Sequence, residues 1–413
     1  MCESCELVAD GRKESLLKQA LFVSIVFLAC ATPLTYWPQS SWLSFPFYDV
    51  GMGVVFSLFG LSLFVPRPAI PRLNTPELIL GLFWIWVGLN AAIRGSWSAA
   101  KPLMDLLLLL FILAHADLSE GKIKHLLLAL MTTGAVVASF GAYEYLYEHK
   151  LWVAATLLNP NTFSGYLCLL LPMSFCLWKV ESPRLKLLGI LITTVMAFGM
   201  TASFTRGGYI AVLVGMSGFA LMKDKRLFLV ILAYMIAFGF IVSEARTRFS
   251  SIAVLSNDAQ PGTVKDTRAT RIYLWGFAWQ EFRASPLSGI GIGTFQSRLD
   301  KYLEDNPQIK GRFPNTSGPH NSYMKMLCEL GLPGLVLFLA VLCSWIWKSG
   351  KALFSAKWSR ADPWAAGVFW GLVSFLVHNL TNTLFMIIPC ALAFWVSLGI
   401  LARLAEGDAC AQS

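Results

Sequence analysis

The stretch LLGILITTVMAFGMTASFTRGGYIAVLVGMSGFALM, residues 187–222, holds two apolar runs, 187–204 and 207–222, joined by Phe204-Thr205-Arg206-Gly207-Gly208. Its one charged residue is Arg206. An α-helix rises about 1.5 Å per residue, so a run of about 20 apolar residues fits a hydrocarbon layer about 30 Å thick. Two such runs with so short a link read as a hairpin of membrane-spanning helices. Outward in both directions the pattern repeats. The expected spans are 16–34, 47–65, 77–93, 101–115, 123–147, 162–178, 187–204, 207–222, 227–244, 331–347, 364–381 and 384–402. The fourth is short and carries Asp105, so it is expected to be tilted, re-entrant or partly covered by neighbours. The expected fold is an all-α polytopic membrane protein of about 12 transmembrane helices.

Composition agrees. Of 413 residues, 56% are hydrophobic and only 14% charged, with mean hydropathy +0.60. Soluble chains run at about 45–50% apolar and about 25% charged. Three regions are expected. Residues 1–244 hold nine spans, 245–330 form one long loop, and 331–413 hold three spans and a short tail. The first span is read as retained, because many more follow it.

Lysine and arginine collect in the short cytoplasmic loops of multi-pass proteins. With the N-terminus inside, 18 of the 33 basic residues fall in inner segments and 4 in short outer loops; the other 11 lie in 245–330. Both termini are therefore expected in the cytoplasm and the long loop outside. The net charge of +9 is mostly this topology signal. Basic residues scattered over many loops and tails, with no recognition motif, argue against nucleic acid as a partner.

Several chemistries lack their motifs. There is no G-x-x-x-x-G-K-[ST] phosphate loop, no H-E-x-x-H, no D-x-D and no His/Cys cluster at metal spacing. Gly289-Ile290-Gly291-Ile292-Gly293 follows no expected strand and reads as a flexible turn. The two acids expected inside spans, Asp105 and Glu144, show no partner in sequence. A transporter would instead gather ionisable residues near the midplane, on broken helices.

What remains lies at the outer face. Arg206 ends the seventh span, on the side where arginine is sparse. Arg268 to Ala284 reads as an amphipathic helix, with Ile272, Trp275, Trp279 and Phe282 on one stripe by the i, i+3, i+4 rule. Arg268 lies on that stripe and Arg271 beside it. Such a helix either rests on the water–lipid boundary or uses Arg271 to bind a lipid-linked phosphate. Gly318-Pro319-His320-Asn321-Ser322-Tyr323 precedes the tenth span, and His320 follows a Gly-Pro break. His378, with Asn379, repeats the His-Asn dipeptide inside the eleventh span and reads as a packing residue.

Guanidinium groups bind phosphate oxygens bidentately and keep their charge, so two arginines suit a diphosphate. An imidazole can take a proton from an attacking hydroxyl near neutral pH. Outside the cytoplasm no nucleotide is available, so an activated donor must arrive already made. A sugar on a polyprenyl diphosphate meets that need.

At these residues the chain resembles the O-antigen ligase family, whose membrane domain is shared with some surface-polysaccharide polymerases. The similar stretches are Ser203-Phe204-Thr205-Arg206-Gly207-Gly208, Arg271-Ile272-Tyr273-Leu274-Trp275, Pro286-Leu287-Ser288-Gly289-Ile290-Gly291, Pro319-His320-Asn321-Ser322-Tyr323 and Glu329-Leu330-Gly331-Leu332-Pro333-Gly334, with Asn159-Pro160-Asn161 as a looser match. They cover about residues 155–340. The resemblance implies a GT-C-type glycosyltransferase of the bacterial inner membrane with a periplasmic active site. It would move a glycan from undecaprenyl diphosphate to the lipid A–core oligosaccharide or another glycan acceptor, inverting the anomeric carbon without metal or cofactor. By matched position, His320 would be the catalytic base and Arg206 and Arg271 would bind the donor diphosphate. Arg268 and Asn321, beside them, complete the expected substrate-binding set. The alternatives are a surface-polysaccharide or O-antigen polymerase with the same donor site and, further off, a transporter of lipid-linked oligosaccharide.

Overall fold

Polar residues at the ends of the apolar runs define where helices begin. Glu77 reaches back to the Asn74 N–H at 2.9 Å. Asn159 accepts from Thr162 N at 3.0 Å, and Asp362 from Trp364 N at 3.3 Å and Ala365 N at 3.4 Å. Each satisfies a backbone donor that the first helical turn leaves unpaired. Pro160 and Pro363 follow two of these caps, where a missing N–H costs nothing.

The computed structural model describes residues 3–35, 41–63, 73–116, 118–157, 159–226, 228–229, 233, 266–312, 318–355 and 362–412. Among them the regular elements are helical: α1 (Glu3–Thr35), α2 (Ser41–Ser62), α3 (Thr75–Arg94), α4 (Trp97–His115), α5 (Glu120–Leu146), α6 (Pro160–Ser174), α7 (Pro183–Ala202) and α8 (Arg206–Lys223) come first. Then follow α9 (Asp266–Ala284), α10 (Phe295–Asp305), α11 (Pro307–Arg312), α12 (Ser322–Ser355), α13 (Pro363–His378) and α14 (Ile388–Gln412). Short 3-10 turns, Phe175–Trp178 and Leu384–Met386, extend α6 and precede α14. Within the described residues, six helices are long and apolar enough to cross a membrane, and three shorter apolar helices accompany them. Helices stand at every expected span except 227–244, which lies almost entirely outside the described residues.

The long helices expose what a soluble bundle would bury. Leu82, Ile85, Leu89 and Ile93 line an open face of α3, and Leu187 and Leu191 one of α7. Apolar stripes of this length, bare on the outside, need lipid as their solvent. The centre is α6, buried on all sides from Thr162 to Ser174 and packed by α5, α7, α8 and α13. A helix apolar around its whole circumference belongs in such a place.

Several expectations are revised. The fourth span is a helix of 19 residues partly covered by its neighbours, one of its expected forms, but its Asp105 is partnered, pairing with Lys101 at 2.7 Å, one turn away. Glu144 is also partnered: it takes Lys150 at 3.2 Å and the backbone N–H groups of Ala154 and Ala155 at 3.2 and 2.8 Å. Both acids are therefore tied into local structure.

The glycine-rich segment is no flexible turn. Ile290 N donates to Cys328 O at 2.9 Å, Gly291 N to Glu329 O at 3.0 Å and Leu332 N to Pro286 O at 2.8 Å. Asn90 and Arg94 of α3 clasp the same segment: Asn90 Nδ2 donates to Ser288 O at 2.6 Å, and Arg94 to Ser288 Oγ at 2.7 Å and Gly289 O at 2.6 Å. α12 breaks at Gly331, whose φ of 72° lies in the left-handed region. A Cβ there would sit 2.2 Å from Leu287 O, and one at Gly289 2.3 Å from Glu329 O. The two motifs are thus complementary halves of one backbone dock. Gly331→Ala is expected to cost roughly 2–4 kcal/mol of stability, through strain and steric overlap. Gly121→Ala in α5, where a Cβ meets nothing within 4 Å, serves as the control. Thermal unfolding in detergent checks both, and equal melting temperatures would contradict the dock.

Candidate functional site

Arg206 is the first residue of α8 rather than the last of α7, and the link before it is tightly held. Phe204 takes a left-handed φ of 49°. Thr205 Oγ1 donates to Ser203 O at 3.2 Å and Pro160 O at 3.3 Å, which ties the link to the start of α6. Gly207 beside it is closely packed: a Cβ there would lie 2.4 Å from Thr381 Oγ1, on the turn that follows α13.

Arg271 lies on α9. The face that packs against protein adjoins the stripe expected at the water–lipid boundary, and Phe282 of that stripe packs at its edge. Leu274, Phe277 and Ala278 pack against Phe295, Leu299 and Leu303 of α10, whereas Ile272 and Trp279 are exposed. α9 is apolar on more than one side, and its partner helix chose the face. Trp275 is half-buried and donates from Nε1 to Pro319 O at 2.8 Å, so α9 holds the segment that carries His320. Arg271 Nε is buried without a hydrogen-bond partner among the described residues. Burial, and then the charge of Arg206, hold the Arg271 guanidinium below the usual arginine range. The two cations are therefore close enough to feel one another.

His320 has a left-handed φ of 46° and follows Gly318, whose N–H donates to Gln296 Oε1 at 2.9 Å. Burial first, and then the charge of Arg271, lower its pKa to about 4, against a hydrogen-bonding contact with Asn382 that works in the opposite direction. The imidazole is neutral at neutral pH. Arg206, Arg271 and His320, 114 positions apart from first to last in sequence, thus form one electrostatically connected group.

The other expected residues are placed differently. Asn321 Oδ1 accepts from Tyr323 N at 2.9 Å and Met324 N at 3.0 Å, capping α12, which leaves only its amide nitrogen for a ligand. Arg268 lies on the first turn of α9, and its side chain is outside the described residues. Nothing in the sequence singles out Asn382; only its neighbour, the repeated His378-Asn379 dipeptide, draws attention to this turn. Below Arg206, a cavity of about 280 Å³ runs between α6, α7 and α8, lined by Leu171, Phe198, Met200, Tyr209, Val212 and Met216 among others. Tyr209 stands one turn from Arg206 on the same helix.

A many-helix membrane protein with a cationic, imidazole-bearing site at the end of its bundle is the class that fold and site define. Residues 191–339, which hold all three groups, match the family model described as O-Antigen ligase. A candidate polysaccharide ligase of Rickettsia typhi is 27% identical over 127 residues, 29% of this chain and 29% of that protein. Another, of Rickettsia prowazekii, is 28% identical over 123 residues, 28% of each chain. The chain thus matches less than a third of the length of each relative.

Proposed function

We propose that the protein transfers a glycan from undecaprenyl diphosphate to a hydroxyl of the lipid A–core oligosaccharide, at the periplasmic face of a bacterial inner membrane. The reading carries a GT-C-type architecture of about twelve spans with both termini cytoplasmic, and residues 245–330 forming the periplasmic segment. One observation carries it: a buried Arg271 nitrogen without a hydrogen-bond partner among the described residues, beside Arg206 and a neutral His320. Two neighbouring guanidiniums repel, and a diphosphate between them relieves that repulsion while gaining charge-assisted hydrogen bonds. The apolar cavity below Arg206 suits the first isoprene units of the carrier.

In this mechanism His320 accepts the proton of the acceptor hydroxyl as its oxygen bonds to the anomeric carbon. The bond from that carbon to the diphosphate oxygen breaks, and its electron pair leaves with the diphosphate. Arg206 and Arg271 stabilise the growing charge, the work a divalent metal performs elsewhere. Attack opposite the leaving group inverts the carbon. The names of the matched family and relatives favour ligation over polymerisation. The test is purified protein in nanodiscs with a lipid-linked glycan, lipid A–core and EDTA. Transfer is expected, and no transfer, or transfer only onto a second lipid-linked glycan, would overturn the ligase reading.

The pH profile is a further test. Activity needs neutral His320, so it rises as pH climbs through the His320 pKa. For the free enzyme, reported by kcat/KM, that limb is expected near pH 4. A bound diphosphate offsets Arg271, so the limb in kcat should lie higher. Coincident limbs at the ordinary imidazole value of about 6.5 would contradict the assignment.

A further inference from the structure

His378 closes α13 and is fully buried. Three polar groups converge on its Nε2: Asn382 Nδ2, which can only donate, at 3.1 Å, Ser164 Oγ, which can do either, at 3.2 Å, and Asn161 O, which can only accept, at 3.3 Å; the tautomer with its proton on Nδ1 takes the nearest of them, Asn382 Nδ2. Its Nδ1 lies against Gly207, where a Cβ would come within 3.4 Å. One ring therefore touches the start of α6, the link that carries Arg206, and the amide that meets His320. A phenylalanine would fill the same volume without polar atoms to satisfy, so packing alone does not call for histidine.

The amide of Asn382 has two different ends. With Nδ2 directed to His378, Oδ1 is the end left for His320, and the contact with His320 favours the protonated ring, as an acceptor oxygen does. A base histidine works best when one nitrogen is held by an acceptor and the other is free for the proton it takes. The backbone around this amide is braced as well. Ser322 N donates to Asn382 O at 3.0 Å, and Ser322 Oγ to Asn379 Oδ1 at 2.6 Å.

We propose that His378 is a positioning residue: by accepting a hydrogen bond from Asn382 Nδ2 it turns the Asn382 oxygen toward His320 and fixes the tautomer in which His320 acts as base. This rests on the transferase reading above. His378→Phe keeps the volume and removes the acceptor; His378→Gln restores an acceptor. In nanodiscs with lipid-linked glycan and acceptor, His378→Phe should lower kcat about 10- to 100-fold with donor KM nearly unchanged, and His378→Gln should recover most of it. The double variant His378→Phe/Asn382→Leu should be no slower than Asn382→Leu alone. Independently of turnover, 15N shifts of labelled histidine should show one His320 tautomer in wild type and a mixture in His378→Phe. An unchanged tautomer in His378→Phe, full kcat, or multiplicative losses in the double variant would overturn the proposal. A wild type that locks the tautomer but transfers no glycan would overturn the functional reading and leave the positioning role standing.

Discussion

Replacing His320 is expected to lower turnover by about 10²- to 10⁴-fold, the usual contribution of a general base. Donor binding should survive, because the diphosphate is assigned to the arginines. Alanine alone is an imperfect test, since position 320 has a φ of 46°, where a non-glycine residue is strained. Asparagine tolerates that region better, so His320→Asn separates lost chemistry from backbone relaxation. Both variants should insert normally, bind lipid-linked donor and fail to transfer it. Single-turnover transfer alongside donor binding checks this, and wild-type transfer by either variant would remove His320 as the base.

Replacing Arg271 has the second large effect. A hydrogen bond to a charged group contributes about 1.5–3 kcal/mol, so Arg271→Ala should weaken donor binding roughly 10- to 100-fold. Arg271→Lys should recover only part, because an ammonium is a point charge without the planar fork. The same substitution acts on His320. Arg271 is one of the causes of its lowered pKa, so removing that charge should raise the acid limb of kcat/KM toward the ordinary histidine value. A purely structural arginine would change stability without moving that limb. Donor titration and a pH profile on the same preparation decide between the two.

The candidate site was legible where chemistry is local. Arg206 and His320 stand out in sequence as polar residues at the ends of apolar runs. The Lys101–Asp105 pair is open to the same kind of reading, because it follows helical i, i+4 spacing. Long-range choices were not legible. α9 has apolar residues on several sides, and only contact with Phe295, Leu299 and Leu303 determines that Leu274 and Phe277 turn inward. The dock between Gly289 and Gly331 depends on two motifs meeting across 42 positions, so one alone reads as a loose turn. His378 meets Ser164 and Asn161, more than 200 positions earlier, and through the same nitrogen meets Asn382. No periodicity or spacing encodes such a contact.

The most direct test is the structure of the protein with a non-transferable polyprenyl diphosphate sugar bound in a nanodisc. Both guanidiniums, of Arg206 and Arg271, should lie within about 3 Å of diphosphate oxygens, with His320 facing the opposite side of the anomeric carbon. A diphosphate bound elsewhere, or an imidazole turned away from the sugar, would contradict the account.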